Sequence, residues 1–208
     1  ARSRPLERRV TDIFAPAAGA TPIQPDDQKK LIPTWIQNRD DLNIAEEDNI
    51  ASGFAWARRR RLKPLAIATD AFSRRLHREM FGKVWKWAGE YRQVELEGIG
   101  APRWQLAARS AELFDQFRFW IENGTFGPDE LAVRFHHQLV LLHGYTNGNG
   151  RHARLMGDLL VEALGAKPFS WGSGNLQDDT GALRAAYIAT LRKADKGDIG
   201  DLLAFARS

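Results

Sequence analysis

The sequence predicts an all-α fold with one small β element, and three observations support this prediction. Apolar residues recur at helical spacing in most segments beyond residue 24. Capping residues such as Thr69 and Gly82 stand at the ends of these segments. Pieces of β type occur only in the stretch 84–104. A length of 208 residues fits one compact domain with appendages.

The composition is that of an ordinary soluble globular protein, and we expect a cytoplasmic location. Hydrophobic residues make up 43% of the chain and charged residues 27%. The lack of cysteine excludes a disulfide framework and a zinc–thiolate site. No apolar run is long enough to cross a membrane, and the first residues do not resemble a signal peptide. Arginines cluster in 1–9 and 58–61 without forming one patch, so the net charge of +4 is weak evidence for nucleic-acid binding.

The predicted elements begin after an arm or linker over residues 1–24, which mixes arginine with Ala, Pro and Gly and has no sustained period. Residues 25–208 form the predicted domain. Asp40 and Asp41 can cap its first long helix, and Pro128 stands in the first turn of a later one. Helices are predicted over residues 40–61, 69–80, 107–122, 128–142, 149–164, 180–194 and 199–206.

The stretch 84–104 departs from the helical pattern and predicts a small β-hairpin. Its β-type pieces lie around 91–96 and 102–104. Gly98 and Gly100 lie between these pieces as turn residues. The pattern is equally compatible with an ordinary surface hairpin and with a flap over a functional site.

Residues 143–154 read HGYTNGNGRHAR and carry most of the functional information. Gly148 and Gly150 permit a backbone geometry that leaves N–H groups bare for an anion, and the helix that starts there adds its positive end. His143 stands on the rim of this turn as a base that is half neutral near physiological pH. Taken singly, the turn and the histidine are ordinary structural features.

Two arginines give the stretch a more specific meaning. Arg151 and Arg154 share one face in the first turn of the following helix. Positive charges at that position oppose the helix dipole, so their presence requires an explanation. A bound polyphosphate supplies one, because both guanidinium groups can surround the same anion.

A metal site is a weaker alternative. The four histidines available for it are His136, His137, His143 and His152. Neighbouring histidines in a helix point to different faces, and neither an HExxH motif nor a cysteine pair is present. His77 lies within an amphipathic helix far upstream, and we expect it to be a surface or core residue.

The stretch resembles the motif of the Fic domain family, H-P-F-x-D/E-G-N-G-R-x-x-R. Six defining positions match outright: His143, Gly148, Asn149, Gly150, Arg151 and Arg154. Tyr145 is a conservative match, whereas Gly144 replaces the proline and Asn147 replaces the acid. VWKWAGEYR and YIATLRKADKGDIGDLLAF also resemble Fic segments, so that the likeness covers roughly residues 38–208. FHHQLV, NGNGRHARLM and PFSWG resemble most closely the subgroup called mobile mystery protein B.

This resemblance implies a Fic fold and a protein adenylyltransferase, which transfers AMP from the substrate ATP to a Ser, Thr or Tyr hydroxyl of a target protein. His143 would be the general base. Asn147 would stand where the family has a Mg²⁺-binding carboxylate, and its neutral amide oxygen binds Mg²⁺ more weakly than an anion.

The resemblance also assigns the phosphate and target contacts. Gly148, Asn149 and Gly150 would form the anion hole for the α- and β-phosphates. Arg151 and Arg154 would hold the β- and γ-phosphates. A flap over residues 93–104 would bind an extended target segment by strand addition, and its candidate contact residues are Gln93, Val94, Arg103 and Trp104.

Many Fic proteins carry an inhibitory helix with the motif [S/T]-x-x-x-E-[G/N], whose glutamate pairs with the second arginine of the Fic motif. The corresponding segment here is NIAEEDN in the helix 40–61. Asn43 replaces the Ser/Thr, Asp48 replaces the Gly/Asn, and Glu47 takes the glutamate spacing, with Glu46 as the other candidate. We expect one of these glutamates to occupy the γ-phosphate position on Arg154.

Three functional hypotheses remain open at this point. The first is the adenylyltransferase, as the toxin of a toxin–antitoxin pair whose partner carries a helix-turn-helix domain. The second keeps the fold but transfers UMP, phosphocholine or phosphate, and Asn147 is the residue that allows it. The third is an inactive module that binds anions or nucleic acid, with affinity that falls steeply with salt.

Overall fold

The structure, a computed structural model, describes residues 13, 23–96, 98–174, 176 and 181–208. It confirms the all-α prediction, since none of these residues lies in a β-strand. All but three residues of the proposed arm, 1–24, lie outside the described part of the chain. A membrane-spanning helix is absent from the described residues, where no helix is both long and apolar enough.

The described residues form nine α-helices: α1 (Pro25–Gln28), α2 (Arg39–Arg59), α3 (Pro64–Ile67), α4 (Asp70–Phe81), α5 (Leu106–Asn123), α6 (Pro128–Leu142), α7 (Asn149–Ala163), α8 (Ala182–Ala194) and α9 (Gly200–Arg207). Two short 3₁₀ turns, Arg103–Gln105 and Trp171–Ser173, complete the regular structure.

The predicted helices agree with those observed to within a few residues, but two features differ. Asn38, rather than Asp40 or Asp41, caps α2, because its side chain accepts a hydrogen bond from the Asp41 N–H. The short helices α1 and α3 were not predicted, since four residues give too little periodicity to detect. Thr69 caps α4 as expected.

The site is positioned by α6 and α7, which make the most extensive contact between helices in the described structure. Phe135 of α6 and Met156 and Leu160 of α7 are fully buried in the core. α2 packs against α4, and both helices also contact α7. The loop between α6 and α7 therefore has α4 and α2 on its flanks.

The predicted β-hairpin is wrong. The described residues of this stretch, 93–96 and 98–102, form a loop, which leads into the 3₁₀ turn Arg103–Gln105. The physical reason is that the ends of this loop bond elsewhere: the Arg92 N–H donates to Gly144 O at 2.9 Å, and the Ala101 N–H donates to Leu142 O at 3.2 Å. We call residues 93–104 the flap.

Candidate active site

The loop of residues 143–148 joins α6 to α7 and begins and ends with a left-handed residue. His143 ends α6 with φ 48° and ψ 51°, and Gly148 starts α7 with φ 78°. A Cβ atom on Gly148 would lie 2.5 Å from Cζ of Phe81, so the close approach to that ring requires glycine as much as the backbone angle does. The loop thus joins His143, at the end of α6, to the start of α7.

Asn149 fixes the shape of this loop. Its side-chain oxygen accepts from the Tyr145 N–H at 2.9 Å, and its amide group donates to Tyr145 O at 2.8 Å. Tyr145 is buried, and its hydroxyl lies 3.0 Å from Ser73 Oγ. Tyr145 and Asn149 therefore hold the loop in its conformation.

His77 of α4 supports the loop through hydrogen bonds and ring stacking. The Gly89 N–H donates to its Nδ1 at 3.0 Å, so the proton is on Nε2, which donates to Asn147 O at 3.0 Å. Its ring stacks on Tyr145 with centroids 3.8 Å apart. Burial lowers the pKa of His77 well below the usual value, with a smaller contribution from nearby His152. The sequence placed His77 at the surface or in the core but gave no sign that it touches the motif.

His143 is a neutral base. Burial, with a smaller contribution from the charge of Arg92, lowers its pKa to about 4. The expectation that it is half neutral near physiological pH is therefore corrected: nearly every molecule has the imidazole free of charge there. Its carbonyl oxygen accepts a hydrogen bond from Arg92 Nε at 2.8 Å.

Arg151 is held by a buried carboxylate. Its Nη1 lies 2.7 Å from Glu46 Oε2, and Glu46 Oε1 accepts from the indole N–H of Trp85 at 2.8 Å. Glu46 is 6% exposed, whereas Glu47 is exposed to solvent. The expectation that Glu47 faces the motif is wrong, because helix α2 turns Glu46 inward.

Arg154 has a different environment. Its guanidinium lies over the ring of Tyr187, 5.5 Å from the centroid, and the hydroxyl of Tyr187 is 2.9 Å from His136 Nε2. Its guanidinium also lies beside Gly150, because a Cβ atom added to that glycine would be 3.6 Å from Arg154 Nη1. The glutamate of α2 thus pairs with Arg151 and not with Arg154, contrary to the sequence-based expectation.

Asn147 uses its side-chain oxygen within the loop. Oδ1 accepts from the Gly148 N–H at 2.6 Å and lies 3.3 Å from Arg151 Nη2. One N–H of the expected anion hole and one face of Arg151 are therefore engaged by Asn147 itself. An amide oxygen is a neutral ligand, and the described residues contain no cluster of three His, Asp or Glu that could hold a metal. Mg²⁺ would fit here only if a bound polyphosphate supplied further oxygen ligands.

The flap presents exposed side chains beside this loop. Trp104 is 71% exposed, and Gln93 and Arg103 are also exposed, whereas Val94 is half-buried. The Arg103 N–H donates to Glu95 Oε2 at 2.9 Å across the flap. The side chains expected to contact a target therefore lie on an accessible surface, without the paired strands that were predicted.

Arg92 is the residue that sequence reasoning missed most completely. It is 3% exposed, and its guanidinium donates to three backbone carbonyls of the flap and loop: His143, Val94 and Ala101. Burial lowers its pKa, and the charge of Glu95 opposes that effect. An arginine in the VWKWAGEYR segment gives no local signal of such distant contacts.

Comparison with known proteins identifies the domain. The profile of the Fic/DOC family matches residues 68–161, which span α4 to α7 and include the whole loop. These residues form a domain of the Fic/DOC family. The comparisons do not distinguish the mobile mystery protein B subgroup, which stays a prediction.

Two curated relatives are protein adenylyltransferases. The chain is 40% identical over 75 residues to "Protein adenylyltransferase fic-1" of Caenorhabditis elegans, a segment that is 36% of this chain and 13% of the relative. It is 29% identical over 133 residues to "Protein adenylyltransferase Fic" of Nematostella vectensis, covering 62% of this chain and 29% of the relative. The chain thus matches less than a third of either relative.

Solved structures share the fold. A fragment of Fic-1 from C. elegans superposes with a TM-score of 0.62 at 23% identity over 87% of this chain and 51% of that one. The BepC protein of Bartonella tribocorum, solved with bound AMPPNP, superposes with a TM-score of 0.65 at 16% identity over 88% and 97%. At these identities the likeness establishes the fold alone.

Proposed function

We propose that this chain is a protein adenylyltransferase that transfers AMP from ATP to a Ser, Thr or Tyr hydroxyl of a target protein. The observation that carries the proposal is that one short loop joins a neutral histidine, His143, to the N-terminus of α7. A base and an anion site on adjacent ends of two packed helices are the two components that phosphoryl chemistry on a hydroxyl requires.

The chemistry assigns a task to each part of the loop. His143 removes the proton of the target hydroxyl as its oxygen attacks the α-phosphorus. A bond forms between that oxygen and phosphorus, the bond to the β-phosphate oxygen breaks, and pyrophosphate leaves with the electron pair. The N–H groups of Asn149 and Gly150 stabilise the charge on the phosphate oxygens, and the N–H of Gly148 joins them once it leaves Asn147 Oδ1. The dipole of α7 adds to their effect. Arg151 and Arg154 hold the far phosphates.

The relatives support ATP as the nucleotide. Two curated relatives are named as adenylyltransferases, and BepC was solved with the ATP analogue AMPPNP. Mg²⁺, where bound with the nucleotide, would neutralise phosphate charge, and Asn147 is the loop residue that would contact it. Because Asn147 is neutral, transfer of UMP, phosphocholine or phosphate on the same fold is the second candidate function.

Labelled ATP tests the proposal directly. The protein is incubated with cell lysate and ATP that carries label on either the α- or the γ-phosphate, with His143→Ala as the matched control. Label transferred from the α-position, and lost in the control, supports adenylylation. Label from the γ-position alone indicates phosphate transfer. The transferase proposal is refuted if neither the wild type nor a variant with Glu46 replaced transfers label from any of several nucleotides.

We further propose that Glu46 restrains nucleotide binding. Its carboxylate neutralises Arg151 in a site where both side chains are largely shielded, 7% and 18% exposed respectively. A phosphate would have to compete for that guanidinium, and hydrogen bonds between charged groups are worth about 1.5–3 kcal/mol. Trp85 holds the carboxylate in place on its other side.

The test compares two neighbouring glutamates. Glu46→Gln keeps the shape but removes the charge, and we expect ATP affinity, measured by calorimetry, to rise about tenfold with a parallel rise in labelling. The matched control is Glu47→Gln, which changes an exposed residue one position away. Equal behaviour of the two variants would refute the restraint and leave the transferase proposal untouched.

The toxin role and the helix-turn-helix partner rest on the subgroup resemblance. We include them in the proposal, together with a cytoplasmic location. Expression of the active protein should arrest growth of a host cell, and His143→Ala should relieve the arrest. Co-expression with a protein that carries a helix-turn-helix domain and is encoded beside this one should suppress toxicity; growth that is unaffected by expression would refute the toxin role.

A further inference from the structure

Arg92 lies where the flap meets the loop of residues 143–148. Its backbone N–H donates to Gly144 O at 2.9 Å. Its side chain then turns back: Nε donates to His143 O at 2.8 Å, Nη1 donates to Val94 O at 2.8 Å, and Nη2 donates to Ala101 O. One guanidinium therefore contacts the carboxyl end of α6 and both ends of the flap.

The chemistry of these contacts is unusual for a buried charge. Charged groups removed from water are normally paired with an opposite charge. The three hydrogen-bond acceptors of Arg92 are instead neutral carbonyl oxygens that belong to separate segments. The planar fork of a guanidinium can hold several carbonyls in fixed relative positions, whereas an ammonium group acts as a point charge.

Gly100 provides a second, independent contact between flap and histidine. It has φ 76°, and a Cβ atom there would lie 2.5 Å from the Cβ of His143 and 3.2 Å from Arg92 Nη2. The flap backbone thus packs directly against the side chain of the base. A shift of the flap at this point would alter the space in which the imidazole stands.

We propose that Arg92 is a positioning residue that couples the flap to His143. A target segment bound on the flap is thereby held at a fixed position relative to the imidazole. This inference rests on the proposed function for its consequence in catalysis, but the coupling itself is a property of the structure. Arg92 contacts neither nucleotide phosphates nor the reacting hydroxyl in this scheme. It acts through the backbone of the flap and of the loop.

The first experiment measures the coupling without any activity. Hydrogen exchange is followed by mass spectrometry in the wild type, in Arg92→Lys and in Arg118→Lys. Arg118 is the matched control, because its guanidinium donates to a backbone carbonyl of α3, Leu65 O, and not to one of the flap or of the loop 143–148. We expect exchange at residues 98–104 to accelerate at least tenfold in Arg92→Lys and to be unchanged in the control, while ATP affinity stays within twofold.

The second experiment measures the catalytic consequence. In Arg92→Lys we expect kcat/KM for the target to fall at least tenfold at an unchanged KM for ATP. Gly100→Ala disturbs the same junction from the flap side with Arg92 intact, and it should give the same pattern. The double variant should lose less than the product of the two single effects, because both act at one contact.

The outcomes separate this inference from the proposed function. Flap exchange that stays unchanged in a folded Arg92→Lys protein overturns the coupling, whatever the activity. A loss of ATP affinity equal to the loss in target labelling also overturns it. If the wild type labels no target but Arg92→Lys accelerates flap exchange, the coupling stands and the transferase proposal fails.

Discussion

The two sides of the loop between α6 and α7 are built from different kinds of contact. On the inner side, His77, Tyr145 and Asn149 are buried and neutral, and most of their hydrogen bonds run from a side chain to the backbone. On the outer side, Arg151 bonds to the side chains of Glu46 and Asn147, and its contact with Glu46 is a salt bridge. The inner side fixes the shape of the loop, and the outer side occupies groups that a ligand could use.

This difference indicates which changes should affect folding and which should affect function. Breaking a buried hydrogen bond to the backbone leaves a polar group unsatisfied and costs stability. Replacing Glu46, a buried charged partner, frees Arg151 for a ligand. We therefore expect substitutions on the inner side to lower the free energy of unfolding, and substitutions on the outer side to change binding and rate.

The largest expected effect is that of His143→Ala on rate. Loss of a general base reduces rates by about 10²–10⁴-fold. Labelling of the target should fall by that factor, while ATP affinity stays within about twofold and the free energy of unfolding changes by less than about 1 kcal/mol. A variant that still labels at a tenth of the wild-type rate would show that another group takes the proton.

Gly148→Ala tests the residue at the start of α7, where the buried inner side of the loop meets the outer side. The added methyl group would meet the ring of Phe81 in a backbone region that disfavours side chains, so we expect a loss of about 2–3 kcal/mol in the free energy of unfolding. ATP affinity should also fall. The control is Gly165→Ala, since Gly165 has φ 89° but no heavy atom within 4 Å of the added Cβ. Equal losses in both variants would show that the backbone angle alone matters.

The inner side should respond to acid through stability. Burial lowers the pKa of His152 to about 4, below the usual value of 6.5, so the unfolded chain binds a proton that the folded chain does not. The contribution is present above pH 6.5 and is lost as the pH falls toward 4; between pH 7.5 and 5 it amounts to about 2 kcal/mol. His77 acts in the same direction.

Urea unfolding at several pH values measures this effect. His152→Gln keeps a hydrogen-bond donor toward Ser73 O, which accepts from His152 Nε2 at 3.0 Å, but cannot titrate. The stability of this variant should therefore decrease less on acidification than that of the wild type. An unchanged pH dependence would mean that His152 does not become protonated on unfolding in this range.

The smallest expected effect is that of Tyr145→Phe. It removes a hydroxyl that shares a hydrogen bond with Ser73 and should cost about 1 kcal/mol of unfolding free energy, with no change in ATP affinity. The double variant with Ser73→Ala should cost less than the sum of the single changes. A marked loss of ATP affinity in Tyr145→Phe would contradict the assignment of the inner side to stability alone.

The sequence predicted what is contiguous and missed what is distant. Residues 143–154 could be interpreted because the histidine, the glycines and the arginines lie in one short segment. The contacts of His143 with Arg92 and of Asn147 with His77 join residues 51 and 70 positions apart. A contact of α2 with the motif was expected from the family resemblance alone, and with Arg154 instead of Arg151, which lies 105 positions from Glu46. Local patterns carry no information about such pairs.

The errors have the same origin. Glu47 fits the motif spacing better than Glu46, but the turn of α2 decides which glutamate faces inward. The hairpin was predicted from β-type residues around Gly98 and Gly100, whereas the flap ends bond to Leu142 and Gly144 instead of to each other. In both cases tertiary packing overrides the local signal.

The hydrogen bond from His77 to Asn147 O has an electrical consequence for the loop. A trans peptide group is planar, and its carbonyl and N–H point in opposite directions. Because His77 holds the carbonyl of Asn147, the same peptide plane turns the N–H of Gly148 away from His77, where it donates to Asn147 Oδ1. The imidazole thus sets the direction of one peptide dipole from a distance, before any ligand arrives.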